Sequence, residues 1–367
     1  MKSVLRHLMA EDRWEAQVIV GGGALLPKYG QMVDSIRNCG FPIHCKIHFL
    51  VEGETPLTMA KSAGLAVAEF STAFETLKPD VVIVIADRFE SLAIAMAASY
   101  MNIPVAHVEG GEISGSIDES IRHAITKLAH VHFPATKDAA ERIIRMGERP
   151  ETVFPVGATS LDVIADLDLD TLEPLVRLQK TYGVGSEVDL RKPYIVVIQH
   201  PVTTEYEENF RNINETIQAA VKLDMGVFWI WPNMDAGSDG ISKGIRIFRE
   251  GGDTRNFHFF KSLPIEHFAP LLKHSACIIG NSSSGIRESA FLGVPAVNIG
   301  NRQNGRVRGI NVADVPYDRS AIETAVRSQI SHGPYPSDTL YGDGNSGKRI
   351  VEVLKDFHFV LQKQITY

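Results

Sequence analysis

The chain has 367 residues, 44% of them hydrophobic, which predicts a globular protein of two domains with a sizeable core. Its net charge of −7, with lysine and arginine scattered along the sequence, argues against a nucleic-acid partner. The three cysteines, Cys39, Cys45 and Cys277, lack the spacing of a zinc site, so we expect free thiols in a reducing compartment. The first residues fit neither a signal peptide nor a membrane span, and we expect a cytoplasmic protein with no membrane partner.

Short β-branched runs alternate with helical patterns along the chain. The first half contains AQVIVGG, DVVIVIA, NIPVAHV, HVHFPAT and TVFPVG. After an irregular, charged passage the alternation restarts with YIVVIQH, GVFWIWPN, FHFFKSL, CIIGN and PAVNIG. Nearly continuous apolar strands separated by helices are typical of parallel sheets covered on both faces. The pattern predicts an α/β protein with two Rossmann-like domains and a ligand in the crevice between them.

A polar stretch, DRFE, follows the strand predicted in DVVIVIA and begins with Asp87 and Arg88. At the carboxyl end of a strand, this pair is either an ion pair that holds the loop or a catalytic acid beside an anion-binding arginine. The residues alone leave both interpretations open.

The stretch HVEGGEISGSIDESIRH, residues 107–123, follows the next predicted strand and contains four carboxylates. Glu109 lies at the carboxyl end of that strand, and Asp118 lies in the first turn of the helix that follows, where Ser116 and Glu119 predict a capping box. The predicted buried stripe of this helix is Ile121, Ala124, Ile125, Leu128 and Ala129. Acids in a first turn also offset the helix dipole, and His107 is either a core histidine or a catalytic one.

The second half of the chain contains a candidate phosphate site in CIIGNSSSGIRESAFLG. The backbone N–H groups of this turn, with the hydroxyls of Ser282, Ser283 and Ser284, can bind phosphate oxygens before a helix that Gly293 ends. Glu288 is placed to accept hydrogen bonds from a ribose diol. The alternative is an ordinary serine-capped helix. Further polar side chains at strand ends are His200, Asn233 and Asp235. Arg302 and Arg306 can add positive charge against a diphosphate.

Six motifs in this order resemble those of the hydrolysing UDP-N-acetylglucosamine 2-epimerases, which include bacterial sialic-acid enzymes and the epimerase half of the animal bifunctional protein. They are ADRFES with HVEGGEISGSIDESIRHAITKLAH, QHPVTT, PNMDAGS, GNSSSGIRE, NRQNGR and YGDGN. The resemblance implies a glycosyltransferase-B-like architecture of two Rossmann-like domains. Residues 1–165 are then the catalytic domain and residues 166–345 the nucleotide-binding domain. The C-terminal helical segment, residues 346–367, packs back towards the catalytic domain.

The resemblance also implies the reaction, the first step of sialic-acid-type sugar synthesis. UDP leaves C1 as the C2 proton is removed, and water adds to the resulting 2-acetamidoglucal to give free N-acetylmannosamine. By motif matching, the proton-transfer residues are Asp87, Glu109 and Asp118, supported by His107. The residues matched to UDP binding are Arg88, His200, Asn233, Leu263, Ser282, Ser283, Glu288 and Arg302. We expect no metal and no other cofactor, a small-molecule nucleotide sugar as partner, and a homo-oligomer, either a dimer or a tetramer.

Two departures from the family pattern affect these expectations. Members begin with a strand and a loop that contribute to the nucleotide site, whereas this sequence opens at MKSVLRHL, so we expect weak or absent activity of the chain as written. Ala86 replaces a glycine that precedes the acid in relatives, and we expect its methyl group only to tighten the turn.

Several alternative functions share these motifs. One is a hydrolysing epimerase for a UDP- or GDP-linked 2,4-diacetamido-trideoxyhexose, because the leaving group and the C2 chemistry are the same. A non-hydrolysing epimerase, a glycosyltransferase of the same architecture and a non-catalytic protein that binds nucleotide sugars are the others.

Overall fold

The structure, a computed structural model, describes residues 1–27, 32–53, 55–115, 117–232 and 237–366. The chain divides into two compact units. Unit 1 comprises Met1–Asp166 and Tyr341–Tyr367, and unit 2 comprises Leu167–Leu340. Both units alternate helices with mostly parallel strands, so the predicted α/β class is confirmed.

Unit 1 contains two parallel sheets. The first pairs β1 (Ile19–Gly21) with β2 (Cys45–Ile47). The second has the order β3 (Val82–Ile85), β4 (Val105–Val108) and β5 (Val131–Phe133). The strand predicted in TVFPVG is wrong, because Val153 forms only an isolated bridge to His132. Pro155 has no N–H group to donate to a strand ladder, which limits pairing there.

The helices in the first segment of unit 1, Met1–Asp166, cover the two sheets. They are α1 (Lys2–Met9), α2 (Met32–Asn38), α3 (Pro56–Leu77), α4 (Phe89–Tyr100), α5 (Asp118–Leu128), α6 (Lys137–Arg145) and α7 (Thr159–Ala165). The core between α3, α4 and the sheets contains Phe49, Phe70, Phe74 and Val84, each at most 5% exposed. These helices therefore fix the strand ends from which the polar loops of unit 1 begin.

Unit 2 is built around a seven-stranded sheet. Its strands are β6 (Val184–Gly185), β7 (Tyr194–Ile198), β8 (Gly226–Ile230), β9 (Phe257–Phe260), β10 (Cys277–Gly280), β11 (Ala296–Ile299) and β12 (Val312–Val315). Their order in the sheet is β12-β11-β10-β7-β8-β9-β6, and β6 is antiparallel to β9. The helices are α8 (Glu173–Thr181), α9 (Asn209–Lys222), α10 (Ser238–Gly251), α11 (Ile265–Lys273), α12 (Glu288–Leu292) and α13 (Arg319–His332).

The strand order of unit 2 reverses beside β7, because β8 pairs with one edge of β7 and β10 with the other. Doubly wound sheets bind ligands at the carboxyl ends of strands where the order reverses. The loops that follow β7 and β10 are therefore the ligand-binding loops that the topology of unit 2 predicts.

The chain then returns to unit 1 with α14 (Ser346–Asp356). Asp162, on α7, accepts hydrogen bonds from the N–H groups of Ser346 at 2.9 Å and Gly347 at 2.6 Å. A carboxylate at this position satisfies two of the N–H groups that a helix start leaves unpaired. None of the helices in the described part of the chain has both the length and the apolar character needed to cross a bilayer.

Candidate functional site

The loop after β3 places Asp87 directly beyond the strand end, as the sequence predicts. Ala86, between them, has a φ of 58° and donates its N–H to the carbonyl of Val108 at 2.8 Å. A residue with a Cβ is strained in this left-handed region, so the methyl group of Ala86 opposes the turn rather than only tightening it.

Arg122 is the partner of Asp87. Its guanidinium donates from Nε to Oδ2 of Asp87 at 3.1 Å, and its Nη2 contacts the same oxygen. It also donates to the carbonyl of Glu112 at 2.6 Å and to the hydroxyl of Ser114 at 3.1 Å. Arg122 is only 1% exposed and is not among the residues predicted from the sequence. The sequence feature that could have identified Arg122 is its position four residues after Asp118, on the face of α5 beside Ile125 and Thr126.

His107 is completely buried in β4 and is oriented by two neighbours. Its Nε2 donates to the carbonyl of Ala86 at 2.9 Å, and its Nδ1 lies 3.3 Å from the hydroxyl of Thr126. Burial lowers the pKa of His107 to about 3, so the ring is neutral at pH 7. A Cβ at Gly110 would lie 2.6 Å from Nδ1, which explains the glycine there. These contacts place His107 behind the turn that carries Asp87.

Glu109 follows β4 and is 5% exposed. Its Oε1 accepts hydrogen bonds from the N–H of Thr159 at 3.0 Å and from the Thr159 hydroxyl at 3.1 Å. Its φ is 60°, again in the left-handed region, and its N–H donates to the carbonyl of Phe133 at 2.8 Å. Strain of this kind is retained where the surroundings fix the backbone, and it is frequent at functional sites. Thr159 was not selected from the sequence because fifty residues separate it from Glu109.

Asp118 is the first residue of α5, as predicted. Ser116 lies outside the described residues, so the capping box is not described, but Glu119 accepts a hydrogen bond from the Ser114 N–H at 3.1 Å. The predicted buried stripe of α5 is partly wrong, because Ala124 is exposed. The helix is rotated so that Arg122 and Thr126 face the interior, where Arg122 binds Asp87 in the loop after β3 and Thr126 contacts His107 in β4.

Arg88 forms the ion pair that holds its loop, but with Glu90 rather than Asp87. Its Nε and Nη2 each donate to a carboxylate oxygen of Glu90 at 3.1 Å. The Arg88 side chain remains 40% exposed. Asp87 and Arg88, which are adjacent in sequence, thus have separate partners.

In unit 2, the serine-rich turn follows β10 at the edge where the strand order reverses. Ser282 is the N-cap residue of a 3-10 helix, Ser283–Gly285, and its hydroxyl accepts a hydrogen bond from the Ser284 N–H at 3.3 Å. Gly280 has a φ of 128°, and a Cβ there would lie 1.9 Å from the carbonyl of Ile198, so only glycine fits. Glu288 is the first residue of α12, which ends at Gly293 as predicted.

Asn281 connects the ligand-binding loops of unit 2. Its Oδ1 accepts from the His200 N–H at 2.6 Å, and its Nδ2 donates to the His200 carbonyl at 2.9 Å. Its carbonyl accepts from Arg302 at 3.2 Å and from Gln303 at 2.8 Å. His200 and Arg302 were predicted from the sequence, whereas Asn281, which fixes both relative to the serine turn, was not.

The remaining predicted residues are Asn233, Asp235, Leu263 and Arg306. Asn233 and Asp235 lie outside the described residues. Leu263 is half-buried after β9, and Arg306 is 8% exposed. Burial raises the pKa of Tyr317, which lies against Gly300, to about 12. Within the described ranges, no three His, Cys, Asp or Glu side chains are grouped as metal ligands would be.

Comparison with known proteins identifies the family to which this site belongs. The profile of the UDP-N-acetylglucosamine 2-epimerases matches residues 6–355. The chain belongs to this family. One relative is the UDP-N,N'-diacetylbacillosamine 2-epimerase (hydrolyzing) of Legionella pneumophila, which is 37% identical over 97% of this chain and 92% of its own length. Another is a UDP-N-acetylglucosamine 2-epimerase of Neisseria meningitidis, 30% identical over 97% of this chain and 91% of its own length.

Solved structures of the 2-epimerase family share the fold. The UDP-GlcNAc 2-epimerase of Methanocaldococcus jannaschii, in complex with UDP-GlcNAc and UDP, aligns with a TM-score of 0.80 at 19% identity and covers 96% of this chain and 95% of that one. The Neisseria meningitidis enzyme bound to UDP-GlcNAc aligns with a TM-score of 0.79 at 18% identity and covers 97% and 96%. The glycosyltransferase-B-like architecture is therefore confirmed.

Proposed function

We propose that this 2-epimerase is a hydrolysing enzyme that converts a UDP-linked 2-acetamido sugar into UDP and the free 2-epimer. The observation that carries the proposal is the pair of acids after β3 and β4, Asp87 held by Arg122 and Glu109 held by Thr159. Moving a weakly acidic C2 proton requires carboxylates in different environments. Asp87 faces the guanidinium of Arg122, whereas Glu109 accepts hydrogen bonds from the N–H and the hydroxyl of Thr159.

The reaction proceeds by elimination and then hydration. A carboxylate takes the C2 proton while the bond from C1 to the UDP oxygen breaks, and its electron pair leaves with UDP. The product is a 2-acetamidoglucal with a double bond between C1 and C2. Water then supplies a hydroxyl to C1, and a proton returns to C2 on the opposite face. We assign the proton transfers to Asp87, Glu109 and Asp118, and a positioning role behind Asp87 to the neutral His107.

We assign UDP binding mainly to the loops of unit 2. The N–H groups and hydroxyls of Ser282 and Ser283 suit the diphosphate, on which charge develops as it leaves, and the carboxylate of Glu288 suits the ribose diol. Asn281 supports this assignment because it holds the serine turn, the His200 loop and Arg302 together. The further residues that we assign to UDP are Arg88, Asn233 and Leu263.

Two substrates are candidates for this chemistry. UDP-N-acetylglucosamine is the one that the sequence motifs predict. The higher identity with the Legionella pneumophila enzyme, 37% against 30% for the Neisseria meningitidis one, favours UDP-N,N'-diacetylbacillosamine. The two sugars differ at C4 and C6, so the same residues serve both at C1 and C2.

The test is to incubate the purified protein with each nucleotide sugar and to follow UDP and free sugar by chromatography. Any turnover, however slow, should release UDP and free 2-epimer in equal amounts from at least one substrate, and the ratio of the two kcat/KM values identifies the preferred one. Binding of UDP without turnover of either substrate would instead support the non-catalytic alternative.

Substitutions separate the two groups of residues. Glu109→Gln should abolish turnover and change UDP affinity by less than about threefold, because the lost group transfers protons. Ser282→Ala should weaken UDP binding by about tenfold, as loss of a hydrogen bond to a charged ligand predicts. Asn281→Ala should weaken UDP binding to a similar extent, because the His200 loop loses the side chain that holds it beside the serine turn. Ser320→Ala, at an exposed serine of α13, is the matched control and should change neither quantity.

A further inference from the structure

The loop after β4 has an unfavourable backbone conformation at one of the proposed proton-transfer acids. Glu109 has a φ of 60°, and Gly111, two residues later, has a φ of 78°. Glycine adopts this left-handed region without strain, whereas a residue with a Cβ does not. A strained residue keeps its conformation only where its surroundings fix the backbone. The contacts of the residues that follow Glu109 therefore decide whether it stays in place.

Two arginines bind successive carbonyl groups of this loop. Arg142, on α6, donates from Nη1 to the carbonyl of Gly111 at 2.6 Å. Arg122, on α5, donates to the next carbonyl, that of Glu112, also at 2.6 Å. Hydrogen bonds from a guanidinium are stronger than those between neutral groups. The peptide groups that follow Glu109 are thus held from two helices.

A second contact fixes the orientation of the Arg142 side chain. Its Nη2 donates to Oδ2 of Asp138, one turn earlier in α6, at 2.8 Å. The Arg142 side chain is 23% exposed. Because a guanidinium is planar and rigid, the bond to Asp138 directs the other amino group towards the loop. Arg142 therefore binds the Gly111 carbonyl in a defined geometry.

The loop also packs directly against α6 at this point. A Cβ at Gly111 would lie 2.4 Å from the carbonyl of Ala139 and 2.7 Å from Cγ1 of Ile143. Both Ala139 and Ile143 are fully buried. Closely packed interiors transmit displacements because they contain little free space. A change at Arg142 consequently shifts the Gly111 peptide and, through the backbone, Glu109.

We propose that Arg142 is a positioning residue for Glu109, a role that rests on the proposed function of Glu109 in proton transfer. By binding the Gly111 carbonyl, Arg142 opposes relaxation of the left-handed backbone at Glu109. The Glu109 carboxylate then stays at the hydrogen bonds from Thr159. Arg142 acts through the loop and does not touch the reacting atoms, because its guanidinium is bound to Gly111 and Asp138.

Arg145 offers a matched control on the same helix. It pairs with Glu141 four residues earlier, as Arg142 pairs with Asp138, but its side chain is 73% exposed. Arg142→Met should lower kcat by about tenfold or more, because small displacements of a reacting group are costly. It should change the dissociation constant of UDP by less than about threefold. Arg145→Met should change neither quantity.

Hydrogen exchange of the Glu109 amide provides a measurement that does not depend on turnover. This N–H donates to the carbonyl of Phe133 at 2.8 Å, so release of the loop should accelerate its exchange. We expect about tenfold faster exchange in Arg142→Met and the wild-type rate in Arg145→Met. If circular dichroism shows that Arg142→Met does not fold, Arg142→Lys replaces it, with Arg145→Lys as control. Arg142→Lys keeps the charge but loses the planar fork, so kcat should fall by about threefold or more.

Failure of this role can be told apart from failure of the proposed function. A wild type that converts neither nucleotide sugar refutes the proposed function, and exchange of the Glu109 amide then tests Arg142 alone. The role of Arg142 would be overturned by a wild-type kcat in its variant, by an equal loss of kcat in the Arg145 variant, or by a loss of UDP affinity as large as the loss of kcat. An unchanged exchange rate of the Glu109 amide would equally overturn it.

Discussion

Arg122 and Asp87 form an ion pair at the end of β3, although 35 residues separate them in the chain. The Arg122 side chain is 1% exposed and that of Asp87 is 21% exposed. Because the same guanidinium binds the Glu112 carbonyl and the Ser114 hydroxyl, it ties the Asp87 turn to the loop that follows β4. The position of the proposed proton-transfer acid therefore depends on a residue that we do not expect to touch the reacting atoms.

Arg122→Lys tests this dependence. The variant keeps the positive charge but loses the planar fork that binds three partners, so Asp87 should be misplaced. We expect kcat to fall by about a hundredfold, because small displacements of a reacting group are costly. The affinity for UDP should change by less than about threefold. Arg145→Lys, on the exposed face of α6, is the control; similar kcat values for both variants would contradict this role.

Ala86→Gly should stabilise the protein, because Ala86 adopts a φ of 58°. Relief of the left-handed strain is worth about 1 kcal/mol in the free energy of unfolding, and the added flexibility of the unfolded chain offsets part of it. Urea unfolding of the two proteins measures the difference. Ala158→Gly should destabilise the protein, because Ala158 has an ordinary φ of −85°. Changes of the same sign in the free energy of unfolding at the two positions would contradict the explanation.

The buried neutral His107 makes stability depend on pH. Its pKa is lowered by burial to about 3, below the usual 6.5, so between these values the unfolded chain binds a proton that the folded protein does not. Stability should therefore decrease as the pH falls below about 6.5, by up to about 1.4 kcal/mol per pH unit from this residue. Unfolding in urea between about pH 7 and 5 measures this slope.

His107→Gln should reduce the slope of the unfolding free energy against pH by the contribution of one proton. The exposed His48 provides the control, and His48→Gln should leave the slope unchanged. The chosen range lies above the usual carboxylate pKa, which keeps carboxylates such as Glu148 out of the comparison. A slope in His107→Gln equal to that of the wild type would show that the ring is not held neutral by the fold.

Glu148 joins three cationic or protonatable groups beneath α5. It accepts from Lys127 at 2.5 Å, Lys363 at 2.8 Å and His132 at 3.2 Å. Although burial raises the pKa of Glu148, these hydrogen bonds lower it to about 2. Lys363 also caps the last carbonyls of α5, including that of Lys127 at 2.9 Å. The network thus anchors the C-terminal segment to the helix that carries Arg122.

Glu148→Gln should lower the free energy of unfolding by about 1–2 kcal/mol, a value reduced from that of a fully buried pair because both lysines are partly exposed. The control is Glu141→Gln, which removes the partner of Arg145 at an exposed site. It should change the free energy of unfolding by less than about 0.5 kcal/mol. Chemical denaturation at pH 7 compares them. Indistinguishable free energies would show that the network contributes no more than a surface ion pair.

The sequence predicts the strand ends of this protein well because long apolar runs fix them. Asp87, Glu109 and Ser282 lie beyond the strands where the pattern places them. The prediction fails where the apolar run is short or interrupted. The strands Cys45–Ile47 and Val312–Val315 each contain a polar residue and were not predicted. Pro155 interrupts the run TVFPVG, which was wrongly predicted to be a strand.

The partners of the site residues are harder to predict. Hydrophobic periodicity treats Arg122 as a surface residue, so the stripe assigned to α5 included the exposed Ala124 and omitted the buried Thr126. In the sequence, nothing distinguishes Asn281 from an ordinary loop residue, although its side chain pairs with the His200 backbone. The left-handed backbone of Ala86 and Glu109 has no local signal, because tertiary hydrogen bonds impose it on residues that do not favour it.

The most direct test of the proposed chemistry is the NMR spectrum of the products formed from UDP-N-acetylglucosamine in deuterated water, with UDP-N,N'-diacetylbacillosamine in parallel. Elimination followed by hydration predicts UDP and a free 2-epimer that carries deuterium at C2. Recovery of an epimerised sugar still attached to UDP, or of a free sugar with hydrogen retained at C2, would contradict it.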